Sequence, residues 1–159
     1  MKLYATVMAV FGLIAVLACA GTQSGGTGTK TDAMQITPQR LKDITGIEWH
    51  LTNMKMADKS ISLIENSKTT FSCNDEGKVA GVASINRYSG NFKIGGDGTI
   101  IWNKAFIMTR MAGPPKLMEQ ETAYMQALPQ TSRMYLEGPR LTLINKNGST
   151  QLEFKKPDN

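Results

Sequence analysis

Few side chains in this sequence have the types and spacing that catalysis requires. The sequence contains one histidine, His50, and two cysteines, Cys19 and Cys73. No supporting motif places His50 or Cys73 in a Ser–His–Asp or Cys–His arrangement. His50 falls in a predicted strand, where we expect it to be exposed, and Cys73 is interpreted as a small core residue rather than a reactive thiol. We therefore predict no catalytic residue and a protein that is not an enzyme.

Metal and cofactor sites find no better support in the sequence. No group of Cys, His, Asp and Glu has the spacing of zinc or calcium ligands. Residues 95–98, Gly-Gly-Asp-Gly, are glycine-rich like a phosphate-binding loop but lack the Gly-Lys-Ser/Thr ending and a following helix. We interpret them as a hairpin turn, and we predict no metal and no cofactor.

Polar residues from distant parts of the chain are better candidates for a site. Asn86 and Arg87 lie in a polar stretch between two predicted strands, and Thr109 and Arg110 follow a later one. The first pair admits two interpretations, a β-hairpin with a polar turn or a polar site at the edge of a sheet. Gly81, inside the preceding strand, indicates a bulge or a close approach of another backbone.

One amphipathic helix carries a further candidate, Glu121. Pro114 and Pro115 favour a helix start, and Pro129 ends the helix. Its apolar face at three- and four-residue steps comprises Leu117, Met118, Tyr124, Met125 and Leu128. Glu121 falls on this face, so it either lies at the edge and reaches water or forms a hydrogen-bonded clasp onto the sheet. The candidate members of this structural polar network are Asn86, Arg87, Thr109, Arg110 and Glu121.

Most of the remaining chain alternates short strands with turns. A helical turn is predicted to begin at Thr37-Pro38 and to end by Gly46. Predicted strands include 47–56, 61–65, 69–73, 133–137 and 140–144. About eight short strands with one main helix predict an α+β domain. The strand pattern by itself does not distinguish a curved sheet from a β-sandwich.

The polar elements resemble the signature of the META domain family, also called HslJ-like. That signature runs roughly G-x-x-G-C-N-R-Y-S-G-x-Y, then T-R-M-A-C-P, then a helix with an internal glutamate. This chain has Asn86-Arg87-Tyr88-Ser89-Gly90, then Thr109-Arg110-Met111-Ala112-Gly113-Pro114, then Glu121. The resemblance extends over roughly residues 44–155. It implies a curved antiparallel sheet, or incomplete β-barrel, with the helix packed in its opening.

The sequence departs from the family signature at two positions. Many members carry a cysteine just before the Asn-Arg pair and another before the proline, where this chain has Ile85 and Gly113. No bridge or metal site is therefore carried over to these positions. Members of the family are associated with heat-shock response, novobiocin resistance, motility and virulence-related secretion.

The first residues have the features of a secretory signal. Lys2 precedes an apolar run that ends in small residues and Cys19. The run is too short to span a bilayer, so residues 1–18 are predicted to be a signal peptide. The terminal cysteine resembles a bacterial lipoprotein signal, in which Cys19 is the lipid (palmitate) attachment site and acyl chains hold the protein on a membrane. The alternative is a secreted protein cleaved near Ala18 or Ala20.

A linker and a single domain are predicted to follow Cys19. Residues 19–36 are rich in Gly, Ser and Thr and are interpreted as the lipidated N-terminus with a flexible linker. Residues 37–159 form the predicted META domain. The whole chain has a net charge of +5, but its basic residues are scattered. This distribution excludes a basic stripe, so no nucleic-acid partner is predicted. Because no aspartate follows Cys19, outer-membrane sorting on the periplasmic side is expected if the organism is Gram-negative.

We interpret the chain as a membrane-anchored cell-envelope lipoprotein with a non-catalytic domain. It is expected to bind or assist an envelope or secretion component, or to act in stress response, with an unknown envelope protein as partner. The alternative is a carrier of a small apolar ligand held between helix and sheet. The sequence contains ten methionines, which either fill the core or line an adaptable apolar groove. An envelope hydrolase is a third and weaker hypothesis.

Overall fold

The computed structural model describes residues 33–103 and 105–157. These residues contain eleven strands and one α-helix. The strands are β1 (Met34–Gln35), β2 (Trp49–Met56), β3 (Lys59–Ile61), β4 (Thr70–Cys73), β5 (Lys78–Val82), β6 (Arg87–Ile94), β7 (Ile100–Trp102), β8 (Ile107–Met108), β9 (Arg133–Glu137), β10 (Arg140–Ile144) and β11 (Gln151–Lys155). The helix α1 covers Pro115–Ala127, and 3₁₀ turns cover Pro38–Asp43 and Leu128–Gln130.

All eleven strands belong to one antiparallel sheet in the order β1-β9-β10-β11-β2-β4-β5-β6-β7. Strand β3 pairs with β2, and β8 pairs with β6. The sheet curves until its ends approach: the Ile100 N–H donates to the Ser132 carbonyl at 2.8 Å, and the Gln35 side-chain amide donates to the Asp97 carbonyl at 2.9 Å. It stays open. The α+β prediction of a curved antiparallel sheet with one main helix is confirmed, and a two-sheet sandwich is not observed.

Strand alternation builds the core from one face of the sheet. Leu141 and Leu143 of β10 and Leu152 and Phe154 of β11 are each 0% exposed. Leu141 lies opposite Phe154, and Leu143 lies opposite Leu152. Burial of each such side chain contributes roughly 1.5–3 kcal/mol before the loss of chain entropy. These pairs set the register, because a slip of one residue would turn all four to solvent.

Helix α1 turns inward a face that overlaps the predicted apolar face but is shifted toward polar residues. It begins at Pro115 and ends at Ala127, as the flanking prolines indicate. Its buried residues are Gln120, Glu121, Tyr124 and Ala127. Leu117 and Met118 are only half-buried. Tyr124 and Leu128 of the predicted face are 0% exposed, so its orientation is confirmed in part. Gln120 joins the buried face because the sheet presents polar groups to the helix as well as apolar ones.

Two local predictions differ from the observed elements. The predicted strand 61–65 is absent, since β3 ends at Ile61 and the chain turns through Asn66 with φ of 58°. At the other end, the sheet begins inside the segment interpreted as linker (19–36): Met34 pairs with Leu136, and Ile36 is 0% exposed.

Residues 1–18, Cys19 and the linker up to residue 32 lie outside the described residues. Among the described residues, no helix combines the length and apolarity needed to cross a bilayer.

Candidate functional site

The helix is fastened to the sheet by the carboxylate of Glu121, which is 6% exposed. Its Oε2 accepts the Asn86 N–H at 2.7 Å and the Ile85 N–H at 3.2 Å. Its Oε1 accepts the side-chain amide of Asn86 at 2.8 Å. Three hydrogen bonds thus replace water around a nearly buried carboxylate, which is the condition for burying a charged group without a large penalty.

Asn86 completes this cluster from the sheet side. Its Oδ1 accepts the Thr109 hydroxyl at 2.8 Å and the Met111 N–H at 2.7 Å. Its Nδ2 donates to the Met111 carbonyl at 3.1 Å as well as to Glu121. All the donor and acceptor positions of the amide are used. The side chain of Asn86 thus pairs with the backbone of Met111 as a neighbouring strand would, although β8 ends at Met108. We call Asn86, Thr109, Met111 and Glu121 the clasp.

The structure brings together three of the five predicted network residues, Asn86, Thr109 and Glu121. Arg87 joins only through its backbone, since its N–H donates to the Thr109 hydroxyl at 3.1 Å while its side chain is exposed. Arg110 is also exposed, and its side chain makes no hydrogen bond or ion pair with the described residues. The two arginine side chains are thus not members of the clasp. Two backbone N–H groups and the side-chain amide of Asn86 already occupy the carboxylate oxygens that a guanidinium would bind.

Gln120 is a second polar anchor, which sequence reasoning missed. Its Oε1 accepts the Ile64 N–H at 2.7 Å, and its Nε2 donates to the hydroxyls of Ser84 at 2.8 Å and Ser67 at 2.9 Å. It ties the irregular segment after β3 to the helix. The available signal was spacing: Gln120 lies four residues before Tyr124, on the same side of the helix.

The third anchor on the helix is a buried tyrosine pair. The hydroxyls of Tyr88 and Tyr124 lie 2.7 Å apart, and Tyr88 donates to the Thr70 carbonyl at 2.9 Å. The rings meet edge to face with centroids 5.7 Å apart. Burial, followed by the neighbouring Tyr124, raises the pKa of Tyr88 well above its ordinary value. Burial also raises the pKa of Tyr124.

The remaining titratable candidates are placed apart from this helix–sheet contact. His50 is half-exposed, and its Nε2 lies 3.3 Å from Glu48 Oε1. Lys68 Nζ lies 2.9 Å from the same oxygen, and its hydrogen bond is the main cause of the lowered pKa of Glu48. Within residues 33–103 and 105–157, no three His, Cys, Asp or Glu side chains are grouped so as to hold a metal ion.

Cys73 is buried, with 6% of its surface exposed, and burial raises the pKa of its thiol to about 12. The thiol and the two buried tyrosines therefore stay neutral in the folded protein at pH values where the unfolded chain ionises. Their pKa values are raised on folding, so the stability that they contribute is complete below about pH 8.5 and is lost as the pH rises.

We expect the free energy of unfolding to fall steeply between about pH 8.5 and 10.5. Cys73 alone accounts for roughly 3 kcal/mol at the upper limit, because its unfolded form releases a proton that the folded form retains. Urea denaturation at a series of pH values measures this. The Cys73→Ala variant should show a shallower dependence; an unchanged slope would refute the assignment to the thiol.

The two positions that depart from the family signature lie in contact. A Cβ built on Gly113 would be 2.7 Å from Cδ1 and 2.9 Å from Cγ1 of Ile85. The Ile85 side chain thus occupies the space beside Gly113, and packing takes the place of any covalent link.

The double variant Ile85→Cys/Gly113→Cys is expected to form a disulfide. Because the Ile85 Cβ is bonded to Cγ1, it lies at most about 4.4 Å from a Cβ at position 113, which is within the usual Cβ–Cβ range of disulfides. The bridge should raise the free energy of unfolding by about 3 kcal/mol. Intact mass before and after reduction, with urea denaturation of both forms, measures the effect. The two single variants are the controls, and a double variant with free thiols after oxidation would contradict the geometry.

Two open grooves flank these elements. One of about 560 Å³ lies beside the clasp and has apolar walls formed by Phe106, Met108, Met111 and Met118. The other, of about 730 Å³, lies over β4, β5 and β6 and is lined largely by small side chains. Other methionines, such as Met54 and Met134, are 0% exposed. Methionine side chains therefore fill the core at some positions and line an open groove at others, and ligand binding in that groove stays a prediction.

Comparison with known proteins identifies a family and a fold. A family model described as the META domain matches residues 42–158. A protein from Burkholderia xenovorans solved by NMR is similar in structure, with a TM-score of 0.64, 20% identity, and coverage of 87% of this chain and 99% of that chain. A crystal structure of a DUF4847 family protein from Bacteroides vulgatus has a TM-score of 0.52 and 11% identity, covering 74% of this chain and 98% of that one. At these identities the likeness shows the fold alone. No curated protein matches the sequence.

Proposed function

The chain belongs to the META domain family, and from this premise we propose that it is a membrane-anchored envelope lipoprotein whose domain binds an envelope component without catalysis. The observation that carries the binding role is the saturation of the clasp. Glu121 accepts three hydrogen bonds and Asn86 uses both side-chain atoms fully. No group of the clasp is left to activate water or a substrate, whereas the adjacent groove is open and methionine-lined.

Anchoring is supported by the N-terminal sequence. Residues 1–18 have a signal-peptide pattern, and Cys19 occupies the position that lipoproteins acylate. Acyl chains contribute roughly 0.8 kcal/mol for each buried CH₂ group, so two or three chains hold a protein on a bilayer without a spanning helix. The first strand begins at Met34. The residues between Cys19 and Met34 give the domain a reach of at most about 50 Å from the membrane. In a Gram-negative organism we place it on the periplasmic side of the outer membrane, with a role in stress response.

A partner-binding role has more support than a ligand carrier. A carrier would hold a small apolar ligand between helix and sheet, but there Gln120, Glu121 and Tyr124 hydrogen-bond directly to the sheet. Tyr124 is 0% exposed and packs against Phe154 with ring centroids 6.5 Å apart. Inserting an apolar molecule would break these hydrogen bonds and leave buried polar groups unpaired.

We expect Cys19→Ala to be found in the soluble fraction or to retain its signal peptide uncleaved. The reason is loss of the acylated side chain, and mass spectrometry of the wild-type N-terminal peptide should show a diacyl or triacyl cysteine. Cys73→Ala is the matched control and should remain in the membrane fraction, because its thiol is buried. An unmodified, soluble wild-type protein would end the lipoprotein proposal.

A further inference from the structure

The chain from Ile107 to Met111 forms an outer edge of the sheet. Its inward side is satisfied: the Thr109 N–H donates to the Arg87 carbonyl at 3.0 Å, and Met111 exchanges two hydrogen bonds with the Asn86 side chain. In an antiparallel ladder, successive residues direct their backbone groups to opposite sides. The N–H and C=O groups of Met108 and Arg110 therefore point away from β6. We call residues 107–111 the free edge.

The groove of about 560 Å³ lies along this free edge. Phe106, Met108 and Met111 line it from the edge, and Met118 lines it from the helix. This volume is within the range of protein ligand sites. Met111 is 54% exposed, so an apolar side chain entering the groove would cover surface that now faces water. Methionine side chains adapt to different apolar shapes, which suits a groove that receives side chains.

The charge beside the groove is positive. Arg110 lines it, two residues after Met108, so these two side chains share one face of the extended segment. Arg87 lies opposite Thr109, on the other face. The Arg110 guanidinium has no ion-pair partner among the residues that the structure describes. The lining contains one carboxylate, that of Glu121, which is turned into the clasp with three hydrogen bonds. An acidic occupant would therefore meet the unpaired cation of Arg110.

We propose that the free edge binds an extended peptide segment of a partner protein in which an apolar residue and an acidic residue lie two positions apart and so share one face. The peptide would add a strand, pairing with the outward N–H and C=O groups of Met108 and Arg110. On the groove side, its apolar side chain would enter the groove beside Met108, and its carboxylate would face Arg110. This inference rests on the proposed binding role and is independent of the acyl anchor.

Two other occupants fit these observations less well. An acyl chain would fill the apolar walls but would leave the outward backbone groups of Met108 and Arg110 without partners. A second copy of this chain, paired edge to edge about a two-fold axis, would bring the arginines of both copies together, and such like-charge contacts are unfavourable. An acidic peptide would pair with the outward backbone groups, fill the groove and place a carboxylate beside Arg110.

The test uses the full chain extracted in detergent and a blocked peptide Thr-Leu-Thr-Glu-Thr, in which leucine and glutamate lie two residues apart and face the same side. Hydrogen exchange followed by mass spectrometry should show slower exchange over residues 106–112 on addition of the peptide. Fluorescence anisotropy of the labelled peptide should show affinity weakened about tenfold by Arg110→Glu. Arg140→Glu is the matched control, because this exposed arginine lies on β10, which is not adjacent to β8. It should change the affinity less than twofold.

Three results would overturn the proposal. The first is unchanged exchange over residues 106–112 at saturating peptide. The second is equal binding of a peptide with lysine in place of glutamate. The third is protection of the same residues without peptide, either by added phosphatidylglycerol in the micelles or by raised protein concentration, which would assign the edge to lipid or to a second copy. Membrane fractionation of Cys19→Ala is read separately, so failure of the anchor and failure of the edge are distinguishable.

Discussion

Replacing Glu121 with alanine should lower the free energy of unfolding by about 3 kcal/mol. The substitution removes the acceptor of three hydrogen bonds. It leaves the N–H groups of Ile85 and Asn86 and one side-chain N–H of Asn86 without that partner. Asn86 is 2% exposed, so water cannot replace the carboxylate without opening the contact. The loss should also loosen α1, because the clasp is one of its three polar anchors on the sheet.

Urea denaturation followed by tryptophan fluorescence measures this change. Glu119→Ala is the matched control, since Glu119 is an exposed glutamate two residues earlier in the same helix. The control should change the free energy of unfolding by less than about 0.5 kcal/mol. Glu121→Gln should be intermediate, because it keeps one oxygen acceptor but turns an NH₂ group toward a donor. A Glu121→Ala variant as stable as the control would mean that the clasp contributes nothing to folding.

Substituting Gly81 with alanine should lower the free energy of unfolding by about 2–4 kcal/mol. Gly81 lies in β5 opposite Tyr88, and a Cβ added there would overlap the Thr70 carbonyl oxygen and lie 2.8 Å from the Tyr88 ring. That carbonyl accepts the hydroxyl of Tyr88. The variant must therefore move a backbone or lose this hydrogen bond. Overpacking of a core costs about 1–3 kcal/mol, and a lost buried hydrogen bond adds about 1 kcal/mol.

Gly96→Ala is the control for this prediction. A Cβ at Gly96 would meet no heavy atom within 4 Å, so the change should be nearly neutral. Thermal and urea denaturation of both variants provide the comparison, and near-ultraviolet circular dichroism reports the tyrosine environment. If Gly81→Ala unfolds at the same urea concentration as Gly96→Ala, the close approach of β4 and β5 is not a constraint on the fold.

The candidate site was partly predictable because two kinds of local signal coincide in it. Glu121 is conspicuous as an acid at an apolar helical spacing, and Asn86 as a polar residue directly after a predicted strand. Both signals are local to one element. The roles of Arg87 and Arg110 were not predictable in this way. Whether a side chain reaches a buried carboxylate depends on which backbone N–H groups already surround it, and those come from another element.

Helix and turn limits were determined by the sequence, since proline and glycine act within a few residues of their own position. Pro115 and Pro129 bound the helix, and the residues of β9 and β10 lie where the pattern predicts. The burial of Gln120 on α1, the order of the strands and the entry of β1 into the sheet were decided by tertiary structure alone. Each depends on which residues distant in sequence supply hydrogen-bond partners and apolar contacts. The pattern of apolar and polar residues within one segment does not identify those neighbours.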